Sequence, residues 1–267
     1  MTVKPAAKTE QPWVLRHQEG GVVTLTLNRG ERLNPLSQAM LDALQAELEA
    51  VAKNAQVRVV VLAGEGRAFC AGHDLKEMRS HPDKAWQKAL YDQCSRVMMT
   101  LTQIPQPVIA RVHGLATAAG CQMVSMCDLA VATDTARFAV SGVNLGLFCS
   151  SPSVGLSRNI GRKQAMEMLF TGDFIDAHTA LARGLVNRVV SSARLDAEVR
   201  RLADSILAKS PVAIQIGKKL FYEQLELRLE DAYAIANEAM ACNMMAQDAL
   251  EGIDAFSAKR KPVWQGK

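Results

Sequence analysis

Residues 114–128 read GLATAAGCQMVSMCD, a run of small residues that leads into an apolar stretch of helical character. The run follows the apolar segment VIARV at 108–112 and precedes LAVA at 129–132, both typical of buried strands. Small residues after a strand let the backbone approach a ligand closely. The first N–H groups of a helix lack partners inside the helix, and the helix dipole favours negative charge there. The segment therefore predicts a strand–turn–helix unit with a ligand site at its turn.

A second turn earlier in the chain has the same design. GEGRAFCAGHDLKEM at 64–78 follows VRVVVLA at 57–63, whose nearly continuous apolar character indicates a strand buried on both faces. If the two turns meet, one backbone amide from each can point at the same oxygen atom and form an oxyanion hole. Close packing alone also calls for small residues at such turns, and the residues by themselves leave that alternative open.

The rest of the chain extends the α/β pattern and then becomes helical. VVTLTL at 22–27 and NRVV at 187–190 predict strands, Ser37 predicts a helix cap, and 82–102 predicts a long helix. Helices are predicted at 154–160, 162–171, 177–182 and 194–209, and only helices follow Pro211. We therefore predict three parts: a disordered lead-in at 1–12, an α/β core at 13–200 and a helical subdomain at 201–267.

Composition and charge exclude several classes of protein. The 267 residues are 49% hydrophobic and 22% charged, with a net charge of +4, which is typical of a globular protein with a substantial core. No basic run indicates nucleic-acid binding, and no apolar run is long enough for a membrane span. The six cysteines are scattered without CxxC spacing, which favours free thiols over disulfides or a metal site. We expect a reducing compartment and a cytoplasmic location.

Three longer segments resemble a known family. AFCAGHDLKEM (68–78), PVIARVHGLATAAGCQMVSMCDLAVATDTARFA (107–139) and MEMLFTGDFIDAHTALARGLVNRVV (166–190) are similar to signature segments of the enoyl-CoA hydratase/isomerase, or crotonase, superfamily. Within it they resemble the enoyl-CoA hydratase domain-containing protein 3 group. The resemblance implies a crotonase-like α/β spiral of ββα turns with a helical C-terminal trimerisation subdomain. It also implies a homotrimer, or a hexamer of two trimers, that binds an acyl-CoA or enoyl-CoA thioester without a separate cofactor.

The same resemblance assigns roles to individual residues. The oxyanion donors fall on the backbone N–H groups of His73 and Ala119. Contacts with the CoA thioester fall on eight positions: Glu31, Arg32, Leu36, Ala71, Gly72, Asp74, Leu75 and Ala118.

The chain departs from the family at both catalytic carboxylates. Hydratases of this family activate water with two glutamates, and those positions are Gln122 and Gly142 here. Neither residue can exchange a proton near neutral pH, so efficient hydration by the two-glutamate route is not expected. The side chains of His73 and Cys149 are candidate substitutes, although a structural role is the more common one for such residues, and the sequence supplies no convincing replacement base. Two interpretations remain: a hydratase-like lyase or isomerase, and a catalytically weak or inactive acyl-CoA binding or regulatory protein.

Overall fold

Two sheets and the helices packed on them build the fold of residues 11–267, the part of the chain that the computed structural model describes. In chain order the strands are β1 (Val14–Glu19), β2 (Val22–Leu27), β3 (Val59–Gly64), β4 (Ala68–Cys70), β5 (Val108–Val112), β6 (Leu115–Thr117), β7 (Leu129–Thr133), β8 (Arg137–Ala139), β9 (Ile175–Asp176) and β10 (Arg188–Val190). The helices are α1 (Gln38–Ala52), α2 (Leu75–Ser80), α3 (Lys84–Gln103), α4 (Ala119–Met126), α5 (Ser150–Asn159), α6 (Arg162–Thr171), α7 (Ala177–Arg183), α8 (Leu195–Leu207), α9 (Pro211–Gln224), α10 (Leu229–Met244) and α11 (Gln247–Ser257).

The chain alternates between the two sheets. The larger sheet has the order β1-β2-β3-β5-β7-β10 and the smaller one the order β4-β6-β8-β9. All pairs are parallel except β1 with β2 and β8 with β9. Each of β3, β5 and β7 is followed by a short strand of the smaller sheet and then by a helix. This repetition is the predicted spiral of ββα turns.

The central strands are buried on both faces, as their apolar runs predict. Along β3, Val60 and Leu62 point into the main core, while Val59 and Val61 pack on the opposite face. Helix α8 covers that second face. The alternation follows from the two-residue period of a strand, so an uninterrupted apolar run requires a partner layer on each side.

Two helix starts follow from capping residues. The Ser37 hydroxyl accepts from Met40 N at 3.2 Å at the start of α1, as predicted. The Asp74 carboxylate accepts from Lys76 N at 3.0 Å at the start of α2. Both caps satisfy N–H groups that have no partner inside the helix.

Several boundaries differ from the sequence-based prediction. The strands β1, β4, β6, β8 and β9 were not predicted, and α5 begins at Ser150 instead of 154. Strands of two or three residues are too short to display a period, so their formation depends on neighbours distant in sequence. Of the predicted lead-in at 1–12, only the last two residues belong to the described part of the chain.

Helix α9 is fastened to the core by a buried lysine. Lys218 Nζ donates to Leu101 O and Gln106 O, both at 2.8 Å, and to Asp128 Oδ2 at 2.7 Å. Tyr222 O–H donates to the other Asp128 oxygen at 2.8 Å. Burial lowers the pKa of Lys218, and the Asp128 carboxylate opposes that shift.

The C-terminal segment is held by a second polar cluster. Arg260 donates to both carboxylate oxygens of Glu251, and Val263 N donates to Oε1 at 2.7 Å. The Arg260 bonds and then the Val263 bond lower the pKa of Glu251 to about 2. Trp264 Nε1 donates to Ala208 O at 2.8 Å and ties the segment to the end of α8. No helix in residues 11–267 is both long and apolar enough to cross a membrane.

Candidate active site

The two small-residue turns meet because their strands are neighbours. Strands β4 and β6 pair in parallel, with Ala68 opposite Leu115 and Cys70 opposite Ala116, so their carboxyl ends lie at one edge of the smaller sheet. Beyond that edge the turns approach so closely that a Cβ on Gly72 would lie 3.2 Å from Ala119 N. The two turns that share a small-residue design therefore also lie in contact with each other.

Each turn has an unusual backbone conformation at its centre. Gly72 has φ of +89°, which glycine adopts without steric cost. Ala118 has φ 50° and ψ −121°, although it carries a Cβ. Such a conformation costs about 1–3 kcal/mol, persists only where its surroundings impose it, and is frequent at functional sites. Helix α4 begins directly after it, at Ala119.

Two backbone N–H groups without acceptors belong to the wall of one cavity. The cavity has a volume of about 490 Å³, and both His73 and Ala119 line it. Within residues 11–267 neither His73 N nor Ala119 N donates to a protein acceptor. Ala71, Leu75 and Ala118 line the same cavity. Two free amide donors beside an apolar space can stabilise negative charge on a bound carbonyl oxygen.

The other residues assigned to CoA contacts lie around this cavity. Arg32 Nη2 donates to Asp74 Oδ2 at 2.6 Å, which joins the segment before α1 to the start of α2. Leu36 is fully buried, and its N donates to Gly72 O at 2.8 Å. Glu31 is exposed beside Arg32 and does not line the cavity. Some of the assigned residues thus line the cavity, and others lie in the segments beside it without lining it.

Gln122, which the resemblance assigns to the first carboxylate position, is a buried amide that does not line the cavity. It lies on α4, one turn beyond Ala118, and its side chain is 5% exposed. In the described part of the chain, its Oε1 is buried and has no hydrogen-bond partner. A buried unpartnered amide oxygen costs about 1–3 kcal/mol, so this position favours a bound donor such as a water molecule.

Gly142, which the resemblance assigns to the second carboxylate position, lines the cavity and has no room for a side chain. Its N–H donates to Cys149 Sγ at 3.3 Å, and its O accepts from Leu147 N at 3.0 Å. A Cβ on Gly142 would overlap Leu147 O and lie 2.8 Å from Cys149 Sγ. The loop between these residues therefore folds back over the place where a second acid would stand.

Several cavity residues were not predicted from the sequence. Tyr91 of α3 lines the cavity, and its ring contacts that of His73 edge to face at a centroid distance of 5.5 Å. Ser141, Phe148 and Ser150 contribute the opposite wall. Helical spacing indicates which face of α3 is buried, but it does not reveal which distant turn packs against Tyr91.

The remaining predicted candidates have ordinary structural surroundings. His113 Nε2 lies 2.8 Å from Gly66 O, and His113 does not line the cavity. Burial raises the pKa of Cys149, although the N–H of Gly142 partly offsets the shift. A thiol with a raised pKa is a poor nucleophile near neutral pH. No set of three or more His, Cys, Asp or Glu side chains in residues 11–267 could hold a metal ion.

The fold and the paired turns define a crotonase-type α/β protein, and comparison with known proteins places it in a family. A family model described as enoyl-CoA hydratase/isomerase matches residues 17–267, so the chain belongs to that family. The chain is 43% identical over 261 residues to the Mus musculus protein named enoyl-CoA hydratase domain-containing protein 3, mitochondrial, and the match covers 97% of this chain and 87% of that protein.

Solved structures agree with this assignment. A crystal structure of an enoyl-CoA hydratase from Mycobacterium smegmatis has a TM-score of 0.94 and 56% identity, and the match covers 95% of this chain and 99% of that one. The human enoyl-CoA hydratase domain-containing protein 3 has a TM-score of 0.92 and 44% identity, over 95% and 100% of the two chains. The predicted fold and the predicted resemblance to that group are confirmed.

The comparisons contradict the predicted cytoplasmic location. The similar Mus musculus and Homo sapiens proteins are both named mitochondrial. The prediction was wrong because it rested on cysteines whose spacing favours free thiols. Free thiols indicate reducing conditions but do not distinguish one reducing compartment from another.

Proposed function

We propose that this chain binds an acyl-CoA or enoyl-CoA thioester and stabilises its enolate with the N–H groups of His73 and Ala119. The supporting observation is the meeting of two acceptor-free amides at one cavity. A thioester carbonyl gains negative charge on oxygen when its α-carbon loses a proton or its β-carbon is attacked. Fixed donors stabilise that charge without reorganising during the reaction, and losing one typically costs about 10²–10³ in rate.

The two lost carboxylates restrict the reactions that the cavity supports. Gln122 cannot exchange a proton, and Gly142 is enclosed by its own loop. Hydration by two glutamates that share one water is therefore not the proposed route. Enolate-based conversions such as isomerisation, with weak hydration beside them, agree best with the cavity. The missing acids also favour a second candidate, a catalytically weak or inactive acyl-CoA binding or regulatory protein.

The proposed CoA site extends from the cavity towards the Arg32–Asp74 pair. We assign contacts with the CoA thioester to Glu31, Arg32, Leu36, Ala71, Gly72, Asp74, Leu75 and Ala118, and we assign no separate cofactor. The Arg32 side chain is 46% exposed despite its ion pair, so its remaining N–H groups are available to a phosphate. Exchange of Arg32 for Ala should weaken binding of an acyl-CoA more than binding of the matching acyl-pantetheine, which lacks the nucleotide.

The C-terminal helices support a proposed homotrimer, alone or as a hexamer of two trimers. Helices α9 to α11 expose large apolar side chains, among them Phe221, Tyr233, Met240, Met245 and Phe256. Exposed apolar surface on this scale is typical of association sites. Sedimentation velocity would give a mass of three or six chains, and a monomer at micromolar concentration would contradict the proposal.

The first experiment measures turnover of crotonyl-CoA by loss of its enoyl-thioester absorbance. Ala119→Pro removes one donor at the first position of α4, where a helix tolerates proline, while Ala119→Gly keeps the N–H as a matched control. We expect turnover to fall about 10²–10³-fold in the proline variant and far less in the glycine variant. Circular dichroism checks that both variants fold, and calorimetry checks that both still bind the thioester.

The outcomes separate the two candidates. Turnover that depends on the Ala119 N–H supports the enzyme. Binding of the thioester without turnover in the unmodified chain supports the binding or regulatory protein. Absence of binding contradicts both.

A further inference from the structure

The cavity contains few groups that can exchange a proton. In the described part of the chain no carboxylate lines it, and the titratable side chains in its wall are His73, Tyr91 and Cys149. Burial raises the pKa of Tyr91 and of Cys149, so both are protonated near neutral pH. A proton acceptor for chemistry in this cavity therefore has to be sought at His73.

The His73 ring is fixed in one tautomer by its surroundings. Nδ1 lies 3.2 Å from Leu36 O, and a carbonyl oxygen can only accept a hydrogen bond. The proton of the neutral ring therefore resides on Nδ1, and Nε2 carries the lone pair. Among the hydrogen bonds of residues 11–267, the His73 ring takes part through Nδ1 and not through Nε2. The edge-to-face contact with Tyr91 supports the ring in this orientation.

The neutral form of His73 dominates at physiological pH. Burial lowers its pKa below the ordinary value of 6.5, and the hydrogen bond to Leu36 O opposes this shift. Asp74 is already paired with Arg32, and Glu77 accepts from Gln38 N at 3.1 Å. Tyr91 and Cys149 line the same cavity as the ring, and Arg32 is paired with Asp74. The charged side chains on the helices next to the ring are Lys76, Glu77 and Arg79 on α2 and, nearest to Tyr91 in the sequence of α3, Lys88 and Asp92.

We infer that the imidazole of His73 is the base that removes the α-proton of the bound thioester. The inference rests on the function proposed above, because it uses the same cavity and the same two amide donors. Nε2 accepts the proton, the electron pair of the broken C–H bond forms a carbon–carbon double bond, and the carbonyl electrons move to the oxygen held by His73 N and Ala119 N. The imidazolium then returns its proton to the α-carbon, or to the γ-carbon of a β,γ-unsaturated substrate.

This assignment identifies the class of substrate and reaction. One base that removes and returns a proton catalyses double-bond migration, and it catalyses α-proton exchange because the imidazolium proton is replaced from solvent before its return. Neither reaction needs an activated water. The substrates are acyl-CoA thioesters with an α C–H bond, and the β,γ-unsaturated ones are converted to α,β-unsaturated products. His73 then contributes twice, through its N–H to the oxygen and through its ring to the carbon.

The test measures exchange of α-protons of butyryl-CoA with D₂O by proton NMR. His73→Ala removes the ring but keeps the backbone N–H, so it isolates the side chain from the proposed oxyanion hole. We expect exchange to fall about 10²–10⁴-fold, the usual contribution of a positioned base. His178→Ala, which removes an exposed histidine on α7, is the matched control and should leave the rate unchanged.

Two further measurements distinguish a base from a packing residue. Exchange in the unmodified chain should be constant at neutral pH and fall as pH drops through a midpoint below 6.5, where the ring becomes protonated. Added imidazole should restore part of the exchange in His73→Ala, whose cavity then has space for it.

Three outcomes would overturn the assignment. The first is α-proton exchange that survives in His73→Ala. The second is a pH dependence of exchange whose midpoint lies in the range of a thiol pKa. The third is an unmodified chain that binds butyryl-CoA but does not exchange its α-protons. Calorimetry separates these from failure of the proposed function. If butyryl-CoA does not bind to the unmodified chain, the function itself is wrong and the role of His73 falls with it.

Discussion

Replacing Lys218 by Met should greatly destabilise the chain, because the ammonium group joins three segments inside the protein. Its Nζ has three acceptors between 2.7 and 2.8 Å, and the side chains of Lys218 and Asp128 are only 6% and 16% exposed. Methionine fills a similar volume but leaves Asp128 charged and removes the donor from Leu101 O and Gln106 O. Breaking a buried ion pair from one side costs about 3–5 kcal/mol.

The neighbouring Lys219 provides a matched control on the same helix. Its side chain is 76% exposed and lies 3.8 Å from Glu223, so Lys219→Met should change the free energy of unfolding by less than about 0.5 kcal/mol. At about 2–4 °C per kcal/mol, Lys218→Met should lower Tm by about 6–20 °C. Urea unfolding followed by circular dichroism at one fixed protein concentration measures both variants.

A double variant tests the cause of the loss. Lys218→Met combined with Asp128→Asn removes the uncompensated charge, so it should be more stable than the Lys218→Met single variant. Equal stability of Lys218→Met and Lys219→Met would refute the reasoning. A double variant that is less stable than Lys218→Met would show that hydrogen bonds to Asp128, and not its unpaired charge, dominate.

Three further predictions concern glycine positions and the C-terminal segment. Gly142→Ala should lower the free energy of unfolding by about 1–3 kcal/mol in urea, because its Cβ overlaps Leu147 O; Gly142→Glu should therefore fail to create hydration of crotonyl-CoA. Gly72→Ala should lower the free energy of unfolding by about 1–2 kcal/mol, since φ of +89° and the adjacent turn exclude a Cβ. Thioester turnover should fall by more than this loss of stability explains. The hydrogen bonds that Glu251 accepts from Arg260 and Val263 should be fully formed above pH 4.5, the ordinary pKa of a glutamate, and should be lost as the pH falls towards about 2. Trp264 fluorescence should then shift to longer wavelength.

Periodic segments were predictable because their environment follows from their own pattern. The apolar face of α1 and the double burial of β3 appear in the structure as the sequence indicates. The short strands were not predictable in this way. Ala68–Cys70 becomes a strand because Leu115–Thr117 lies beside it, and no local signal in three residues contains that information.

The candidate site was likewise predictable only where its features follow from a local sequence pattern. The two small-residue turns and the missing carboxylates are visible in the sequence, and the structure brings the turns together. The positive φ of Ala118 was not predictable, because alanine disfavours that conformation and only the surrounding turns impose it. The position of Tyr91 against His73 likewise depends on how α3 lies across the start of α2.

The surroundings of His73 are physically consistent with the base role proposed for it. A carboxylate near an imidazole favours the charged imidazolium and raises its pKa, which would remove the lone pair that a base requires. No carboxylate of the described residues lines the cavity, so burial is the main influence on His73 and lowers its pKa. These uncharged surroundings keep the imidazole of His73 neutral, which is the form that the proposed proton transfer requires.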